Sequence, residues 1–250
     1  MRFALIALLF CGTAAQGAAP AFTDTFPLKS CRFASIGGNN FFPLKPGRQL
    51  YLSNTNCLSA GKCDSLVELW ITTEFDTRRV TLGSGRNRMQ VPTRIVEERE
   101  TEDGELVEIS RNFFSSCNPM RDVYYFGEEV DIYEDGEIVS HEGAWLAGRN
   151  GAMPGIILPD SAFLLGSRYF QEVAPGVAQD RGEHVATNLE VTVPAGSFKG
   201  CTEVLETTPL QPNSDSTKVY CPGVGLVRDD ELELMAVFHV RDDDDEEDDD

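Results

Sequence analysis

Residues 94–110 read RIVEERETEDGELVEIS and residues 130–140 read VDIYEDGEIVS, and these two stretches decide the fold class. An Asp-Gly pair stands near the centre of each stretch, at Asp103-Gly104 and at Asp135-Gly136. Asp-Gly suits the two-residue type I′ turn, because both of its central residues need a positive φ angle. Apolar and charged residues alternate on both sides of each pair, which indicates strands with one buried and one solvated face. Both stretches therefore predict β-hairpins.

Outward from these hairpins, strand-like segments separated by turn residues continue along most of the chain. Residues 66–72 and 79–82 precede the first hairpin, residues 123–126 lie between the two, and residues 143–159 predict a Gly- and Pro-rich connection packed on the sheet. Many short strands with frequent turns are typical of sandwiches and barrels, and no long helical periodicity occurs. We therefore expect an all-β fold, an antiparallel meander forming a curved sheet, a sandwich or a barrel, stapled by disulfides. The other strand-like segments are residues 48–52, 167–173, 185–193, 201–207, 218–221 and 232–237.

The first 21 residues predict a signal peptide. A positive charge at Arg2 precedes the apolar residues 3–11, and small residues follow up to Ala21. This is the pattern of a secretory signal, with cleavage after Ala15, Gly17 or Ala21. The apolar run is shorter than the about 20 residues that a membrane span needs, and no later run is long enough. We expect a secreted protein, or one exported to a lumen or periplasm, without a transmembrane segment.

Beyond the signal peptide the sequence predicts three parts. Residues 22–40 form an irregular lead-in, residues 41–240 a single β-rich domain, and residues 241–250 a disordered acidic tail. Adjacent carboxylates repel one another and bury no apolar area, which is why the tail is expected to be disordered. Oxygen ligands suit Ca²⁺, so we expect weak, nonspecific contact with divalent cations, a mineral surface or a basic protein. The acidic residues of the tail are Asp242, Asp243, Asp244, Asp245, Glu246, Glu247, Asp248, Asp249 and Asp250.

The charge balance argues against several classes of partner. The chain has 41 acidic and 21 basic residues, and 32 acidic residues remain when the nine of the tail are set aside. Nucleic-acid binding is disfavoured because attraction to phosphates needs a basic stripe, and the same reason disfavours anionic membrane surfaces. No glycine-rich dinucleotide-binding or Walker motif occurs, so no cofactor is expected beyond weakly bound Ca²⁺.

Six cysteines follow Cys11, which lies in the predicted signal peptide. An even number of cysteines in an exported chain indicates disulfides rather than free thiols. No C-x-x-C pair points to zinc. Six cysteines allow many pairings; closure of a short loop, adjacency of two predicted strands and elimination favour, in that order, Cys57–Cys63, Cys201–Cys221 and Cys31–Cys117.

The histidines His141, His184 and His239 are the candidates for catalysis. None belongs to an H-x-H or H-E-x-x-H pair and no G-x-S-x-G motif occurs, so a triad assembled in space is the arrangement left open. Residues 131–142 match several ligand positions of an EF-hand loop, but Tyr133 stands at the third position and the flanks are strand-like. We interpret that stretch as a hairpin.

Several turn and core motifs together resemble a group of uncharacterised, exported β-rich domains found mostly in bacteria, as secreted proteins or lipoproteins. The resemblance covers about residues 41–236. It implies export and a β-rich fold, and it supplies no catalytic residue. The cysteines and the acidic tail are departures from that group. The motifs that carry the resemblance are the two Asp-Gly hairpins and residues 42–47, 151–156, 175–178, 193–198 and 220–227.

Three functional hypotheses follow. The first is an exported, non-catalytic binding or matrix protein whose ligand is unknown and whose tail makes a weak cation or polycation contact. The second is a secreted hydrolase that uses His141 or His184 with neighbouring carboxylates. The third is a carrier of a small ligand, held in a cavity inside the curved sheet.

Overall fold

The computed structural model describes residues 21–160 and 165–242 of the chain, and most of these residues lie in strands. Helical structure in these residues is limited to α1 (Thr55–Ser59) and to 3-10 turns at Leu28–Ser30 and Gly85–Asn87. The predicted all-β, antiparallel fold is confirmed. The strands are β1 (Arg32–Ala34), β2 (Gly37–Gly38), β3 (Pro43–Leu44), β4 (Arg48–Ser53), β5 (Val67–Leu82), β6 (Met89–Glu102), β7 (Glu105–Asn118), β8 (Val123–Glu134), β9 (Glu137–Ser140), β10 (Trp145–Leu146), β11 (Met153–Leu158), β12 (Arg168–Phe170), β13 (Glu172–Val173), β14 (Arg181–Val193), β15 (Gly196–Thr208), β16 (Gln211–Cys221), β17 (Gly225–Asp229) and β18 (Leu232–His239).

Both Asp-Gly hairpins form as predicted. Strands β6 and β7 flank Asp103 and Gly104, whose φ angles are 49° and 88°. Strands β8 and β9 flank Asp135 and Gly136, with φ angles of 51° and 81°. Positive φ at both central residues is what a type I′ turn requires. The local turn chemistry therefore sets the pairing next to each turn, and the register of each ladder shifts a few residues away, between Glu100 and Thr101 and between Ile132 and Tyr133.

The strands form a nearly closed, barrel-like ring. Strands β4 to β8 pair in succession, as do β14 to β18, and β18 pairs with β4, which joins the two meanders. The other junction is made by residues 168–173, called here the closing segment. Its first half, β12, pairs with β14, and its second half, β13, pairs with β11, which in turn pairs with β8. One short segment thus connects both free edges of the sheet.

Gly155 lets the backbones approach closely at this junction. A Cβ atom on Gly155 would lie 2.2 Å from the carbonyl oxygen of Phe170 and 2.5 Å from that of Gln171. Such distances are far below van der Waals contact, so a larger residue would push β11 away from the closing segment. The absence of a side chain at Gly155 therefore permits the ring to close at this point.

The three disulfides join Cys31 to Cys117, Cys57 to Cys63 and Cys201 to Cys221. All three predicted pairs are confirmed. The first bond fixes the lead-in to β7, the second closes the loop that contains α1, and the third links β15 to β16.

The lead-in, residues 22–40, contains more regular structure than its sequence indicates. Strand β1 pairs with β7, and the Phe33 ring contacts Tyr124 and Phe126 edge-on at centroid distances of 5.4 and 5.2 Å. A three-residue strand shows no periodicity that a sequence pattern can reveal. The disulfide and the ring contacts, both distant in sequence, hold the lead-in against the sheet.

Two predicted segments fall largely outside the described residues. They are the signal peptide, of which only Ala21 is described, and the acidic tail, of which only Asp242 and Arg241 are described. Within the described ranges, no helix combines the length and apolar character that crossing a membrane requires.

Candidate functional site

The inner face of the ring carries ionisable side chains near one end. Four hairpin turns mark this end, called here the hairpin end: residues 102–105, 134–137, 208–211 and 229–232. Strand alternation places Glu98 on one face of β6 together with Val96 and Glu100. The carboxylates whose mutual repulsion shows that they lie near one another are Glu98, Glu100, Glu108, Glu128, Glu172, Asp180, Glu206 and Asp229.

A cavity of about 90 Å³ lies inside the ring. That volume is large enough for several water molecules or one small organic molecule. Apolar side chains, including Leu50, Ile71, Val96 and Phe114, form one part of its wall. The ionisable and hydroxyl-bearing part of the wall is formed by Arg48, Thr73, Glu98, Lys218, Tyr220 and Asp229.

Lys218 is an ammonium group that already has partners. Its Nζ atom lies 3.0 Å from Oε2 of Glu206 and 3.6 Å from Oδ2 of Asp229. Burial disfavours the charged ammonium, but the two carboxylates outweigh burial and hold the pKa of Lys218 well above its usual value. The ammonium of Lys218 therefore stays charged, and the two carboxylates balance its charge.

Glu98, by contrast, faces the cavity without a partner. Among the described residues, no group donates a hydrogen bond to its carboxylate or forms an ion pair with it within 4.0 Å. Burial raises the pKa of Glu98 to about 7; Lys218 opposes this rise, and Asp229, Glu108 and Glu206 add to it. Glu98 is thus a carboxylate that changes charge near neutral pH inside the ring.

Arg48 is the counterpart of Glu98 with the opposite charge. Its Nη2 atom donates a hydrogen bond to the carbonyl oxygen of Val224. Its Nε atom is buried and has no hydrogen-bond partner, and no described carboxylate forms an ion pair with its guanidinium. Burial lowers the pKa of Arg48 from its usual value, but an arginine remains charged under such a shift. A lone guanidinium therefore lies on the wall of the same cavity.

Tyr220 adds a polar group to this wall. Its side chain is 3 % exposed. Burial, and then the charge of Glu206, raise the pKa of Tyr220 well above its usual value, so the phenol is neutral. Within the described part of the chain its hydroxyl makes no hydrogen bond. A buried hydroxyl without a protein partner on a cavity wall is available to a ligand.

A second depression, of about 370 Å³, opens near the hairpin end and is called here the vestibule. Glu128, Asp180 and Glu206 contribute to its lining. Burial, and then repulsion from Glu98, raise the pKa of Glu128 to about 8. Glu206 also contacts Lys218, which lines the cavity. The Lys218–Glu206 ion pair therefore lies between the vestibule and the cavity.

The closing segment contributes two buried polar side chains to this region. Gln171 donates a hydrogen bond of 2.5 Å from Nε2 to Oε1 of Glu206. Oε1 of Glu172 accepts a hydrogen bond of 2.6 Å from the backbone N–H of Asp180. Burial and the nearby Asp180 carboxylate hold the pKa of Glu172 well above its usual value. The segment that closes the ring is thus bonded to the ionisable interior.

The structure does not bring the predicted catalytic histidines together. His184, on β14, is fully buried between Thr202 and Tyr169, at 3.1 Å from the hydroxyl of each. Burial lowers the pKa of His184 to about 4. His141 lies after β9, and its Nδ1 is 3.0 Å from a carboxylate oxygen of Asp131, on the surface. His239 ends β18 and is exposed.

Residues 131–142, which match several ligand positions of an EF-hand loop, lie in the β8–β9 hairpin and directly after it, as interpreted from the sequence. Across residues 21–160 and 165–242, no three His, Cys, Asp or Glu side chains are arranged to hold a metal ion. Of the acidic run proposed for weak Ca²⁺ contact, residues 243–250 lie outside the described ranges.

The sequence patterns do not identify four residues of this site, Arg48, Glu98, Lys218 and Tyr220. A signal for Glu98 was nevertheless present, because residues 97–100 read EERE. Successive side chains of a strand point to opposite faces, so four charged residues in a row put charge on both faces. No comparable local signal marks the other three residues.

No protein-family model, no curated protein and no solved structure matches the chain significantly.

Proposed function

We propose that the protein is an exported, non-catalytic binding protein that holds one small organic molecule inside its barrel-like ring. The observation that carries this proposal is the cavity wall itself. It combines apolar side chains with Glu98 and Tyr220, which have no hydrogen-bond partner among the described residues. Ligand sites typically combine an apolar lining with a few convergent polar groups.

The proposed export rests on the signal-like sequence of residues 1–21 and on the three disulfides. Disulfides persist in oxidising compartments, so these bonds are compatible with an extracellular or lumenal location. The acidic run from Asp242 to Asp250 is proposed, separately, to make weak contacts with divalent cations or basic partners. Calorimetry with Ca²⁺ on the full chain and on a chain ending at Arg241 tests that role, and equal heats would contradict it.

The binding proposal is tested by filling the cavity. Val96 is 3 % exposed and lies on the cavity wall, so Val96→Phe inserts a ring into the space that a ligand needs. Ile138→Phe is the matched control, because Ile138 is 49 % exposed on the surface. We expect compounds of a small-metabolite panel that raise the melting temperature of the wild type to have no effect on Val96→Phe and their full effect on Ile138→Phe.

A second variant allows the test to be made even if Val96→Phe does not fold. Tyr220→Phe removes the unpartnered hydroxyl without changing the packing volume, and we expect it to weaken binding of the same compounds. The proposal is wrong if no compound stabilises the wild type, or if the same compounds stabilise all variants equally.

A further inference from the structure

We infer that the ligand of the cavity is a small zwitterionic amino acid, whose ammonium group is bound by Glu98 and whose carboxylate is bound by Arg48. This inference rests on the binding function proposed above and names the chemical class of the ligand. It starts from two charges of opposite sign that line one cavity, neither of which has an ion-pair partner among the described residues.

Neither of the two charges has the partner that a buried charge requires. Removing a charge from water is costly unless a hydrogen-bonded partner of opposite charge replaces the water. Lys218 meets this condition through Glu206 and Asp229. Arg48 and Glu98 do not meet it, and a ligand with one negative and one positive group would satisfy both.

The strand register sets a separation that a small ligand can bridge. Leu50 of β4 is opposite Ile71 of β5, and Ile71 is opposite Glu98 of β6. Arg48 lies two residues before Leu50, on the same face of β4. The two Cα atoms are separated by two inter-strand spacings across the sheet and by two residues along the strand direction. Arg48 and Glu98 therefore have Cα atoms roughly 12 Å apart. Both side chains extend inward from these positions, which leaves the length of a small molecule between their charged ends.

The volume and the wall restrict the ligand further. A cavity of about 90 Å³ restricts the ligand to a small molecule, such as glycine or alanine. The Tyr220 hydroxyl supplies one more hydrogen bond, and Leu50 and Phe114 accommodate a short aliphatic side chain. The acidic vestibule repels anions, so a ligand without net negative charge is favoured.

Protonation of Glu98 is expected to control the binding. The groups that face Glu98 are Lys218 and Asp229 together with three carboxylates on other strands, Glu108, Glu128 and Glu206. Its raised pKa leaves a fraction of Glu98 protonated at neutral pH, and only the ionised form attracts an ammonium group. Binding should therefore release a proton near pH 7 and strengthen as the pH rises from 6 to 8.

The inference is tested by titration calorimetry on the full chain with five probes. Glycine and L-alanine carry both charges, ethylamine only the ammonium, propionate only the carboxylate, and propionamide neither. We expect glycine or L-alanine to bind one molecule per chain. The three analogues should bind at least about tenfold more weakly, the factor expected for loss of one charge-assisted hydrogen bond.

Four variants assign the contacts. Arg48→Gln and Glu98→Gln should each weaken binding of the amino acid by at least about tenfold. The matched controls Arg149→Gln and Glu105→Gln alter exposed residues and should leave it unchanged. If Arg48→Gln does not fold, Arg48→Lys serves in its place, since it keeps the charge but loses the planar donor geometry.

The outcomes separate this inference from the binding function on which it rests. If ethylamine, propionate or propionamide binds as tightly as the amino acids and Val96→Phe abolishes that binding, the ligand class is wrong and the binding function stands. Equal affinity of Glu98→Gln and the wild type for the amino acids also overturns the inference. If neither these probes nor any compound of the metabolite panel binds, both proposals are wrong.

Discussion

At the scale of single residues, the adjacent pair Glu97 and Glu98 shows how this ring divides its charges. Glu97 lies on the outside, where its carboxylate is 3.0 Å from Nε of Arg111. Glu98 lies on the inside, on the cavity wall. The alternation in the hairpin arms predicts that their charged positions lie on one solvated face. That interpretation explains Glu97 but not Glu98, because a strand of a ring has its second face directed at an interior that can itself be polar.

His184 is the residue whose ionisation the structure constrains most clearly. Burial lowers its pKa to about 4, so we expect the imidazole to be neutral above about pH 5. We expect the ring signals of His184 in NMR spectra of the labelled protein to stay unchanged from pH 8 to about pH 5.

The reference state for this measurement is the same protein in urea. There the His184 ring should titrate near the ordinary value of about 6.5. Because the native state binds fewer protons than the unfolded state between these two pKa values, His184 lowers the stability as the pH falls from about 6.5 to 4. Titration of the native His184 ring above pH 6 would contradict the buried environment.

At the scale of elements, the sequence predicts most reliably what local chemistry determines. The Asp-Gly hairpins are correct because two residues set the turn. By contrast, the predicted strands at residues 66–72 and 79–82 are parts of one strand, β5 (Val67–Leu82), which continues through a register shift between Thr73 and Thr77. Similarly, the predicted connection at residues 143–159 contains β11, which pairs with β8. Only contacts distant in sequence reveal these continuations.

The disulfides allow a quantitative comparison between two elements. Cys31 and Cys117 are separated by 86 residues, and Cys57 and Cys63 by 6. Loop-closure entropy in the unfolded chain predicts that removing the disulfide that closes the long loop lowers the free energy of unfolding by about 4–5 kcal/mol. Removing the disulfide that closes the short loop should lower it by about 2 kcal/mol. We therefore expect Cys31→Ala/Cys117→Ala to lower the free energy of unfolding more than Cys57→Ala/Cys63→Ala.

Urea unfolding of the two double variants and the wild type measures this difference. A wild-type titration under the same conditions controls for the linear extrapolation. Equal losses in the two variants would mean that native packing of the lead-in, rather than loop closure, dominates the contribution of the Cys31–Cys117 bond.

At the scale of the whole molecule, the sequence does not distinguish between a curved sheet, a sandwich and a barrel. The choice depends on the β18–β4 pairing and on the closing segment. The sequence predicts one strand over residues 167–173, whereas the structure has two, β12 and β13, which pair with different strands on either side of Gln171. No sequence periodicity predicts this change of pairing partner, because the change depends on the positions of the two free edges of the sheet.

The ionisable interior predicts an unusual pH dependence of the overall stability. Burial holds the pKa of Glu98 at about 7 and that of Glu128 at about 8, above the value of about 4.3 for an unfolded glutamate. The native state therefore binds more protons than the unfolded state, and stability falls as the pH rises through these values. We expect the free energy of unfolding to decrease by roughly 1–3 kcal/mol between pH 6.5 and 8.5.

In this window His184 has only a small effect of opposite sign, because its unfolded-state pKa is about 6.5 and its contribution to stability changes mainly below that pH. Urea titrations at pH 6.5, 7.5 and 8.5 provide the measurement. The double variant Glu98→Gln/Glu128→Gln should have a shallower profile than the wild type over the same range, with the remaining slope due to Glu172, whose pKa burial also raises. A wild type whose stability rises with pH would show that the two carboxylates are better solvated than the ring geometry implies.

The β18–β4 ladder, which joins the two meanders, has a consequence for the kinetics of folding. The meanders β4 to β8 and β14 to β18 consist of neighbouring strands and can form early, whereas the β18–β4 ladder joins residues nearly the whole length of the domain apart. Contacts of such separation form slowly. Until the β18–β4 ladder forms, the ring is open and water still reaches the inner carboxylates, so their repulsion acts fully only in this last step. The rate of refolding should therefore decrease with rising pH. The same last step of folding also closes the ring around the cavity, so it decides whether a ligand is enclosed or excluded.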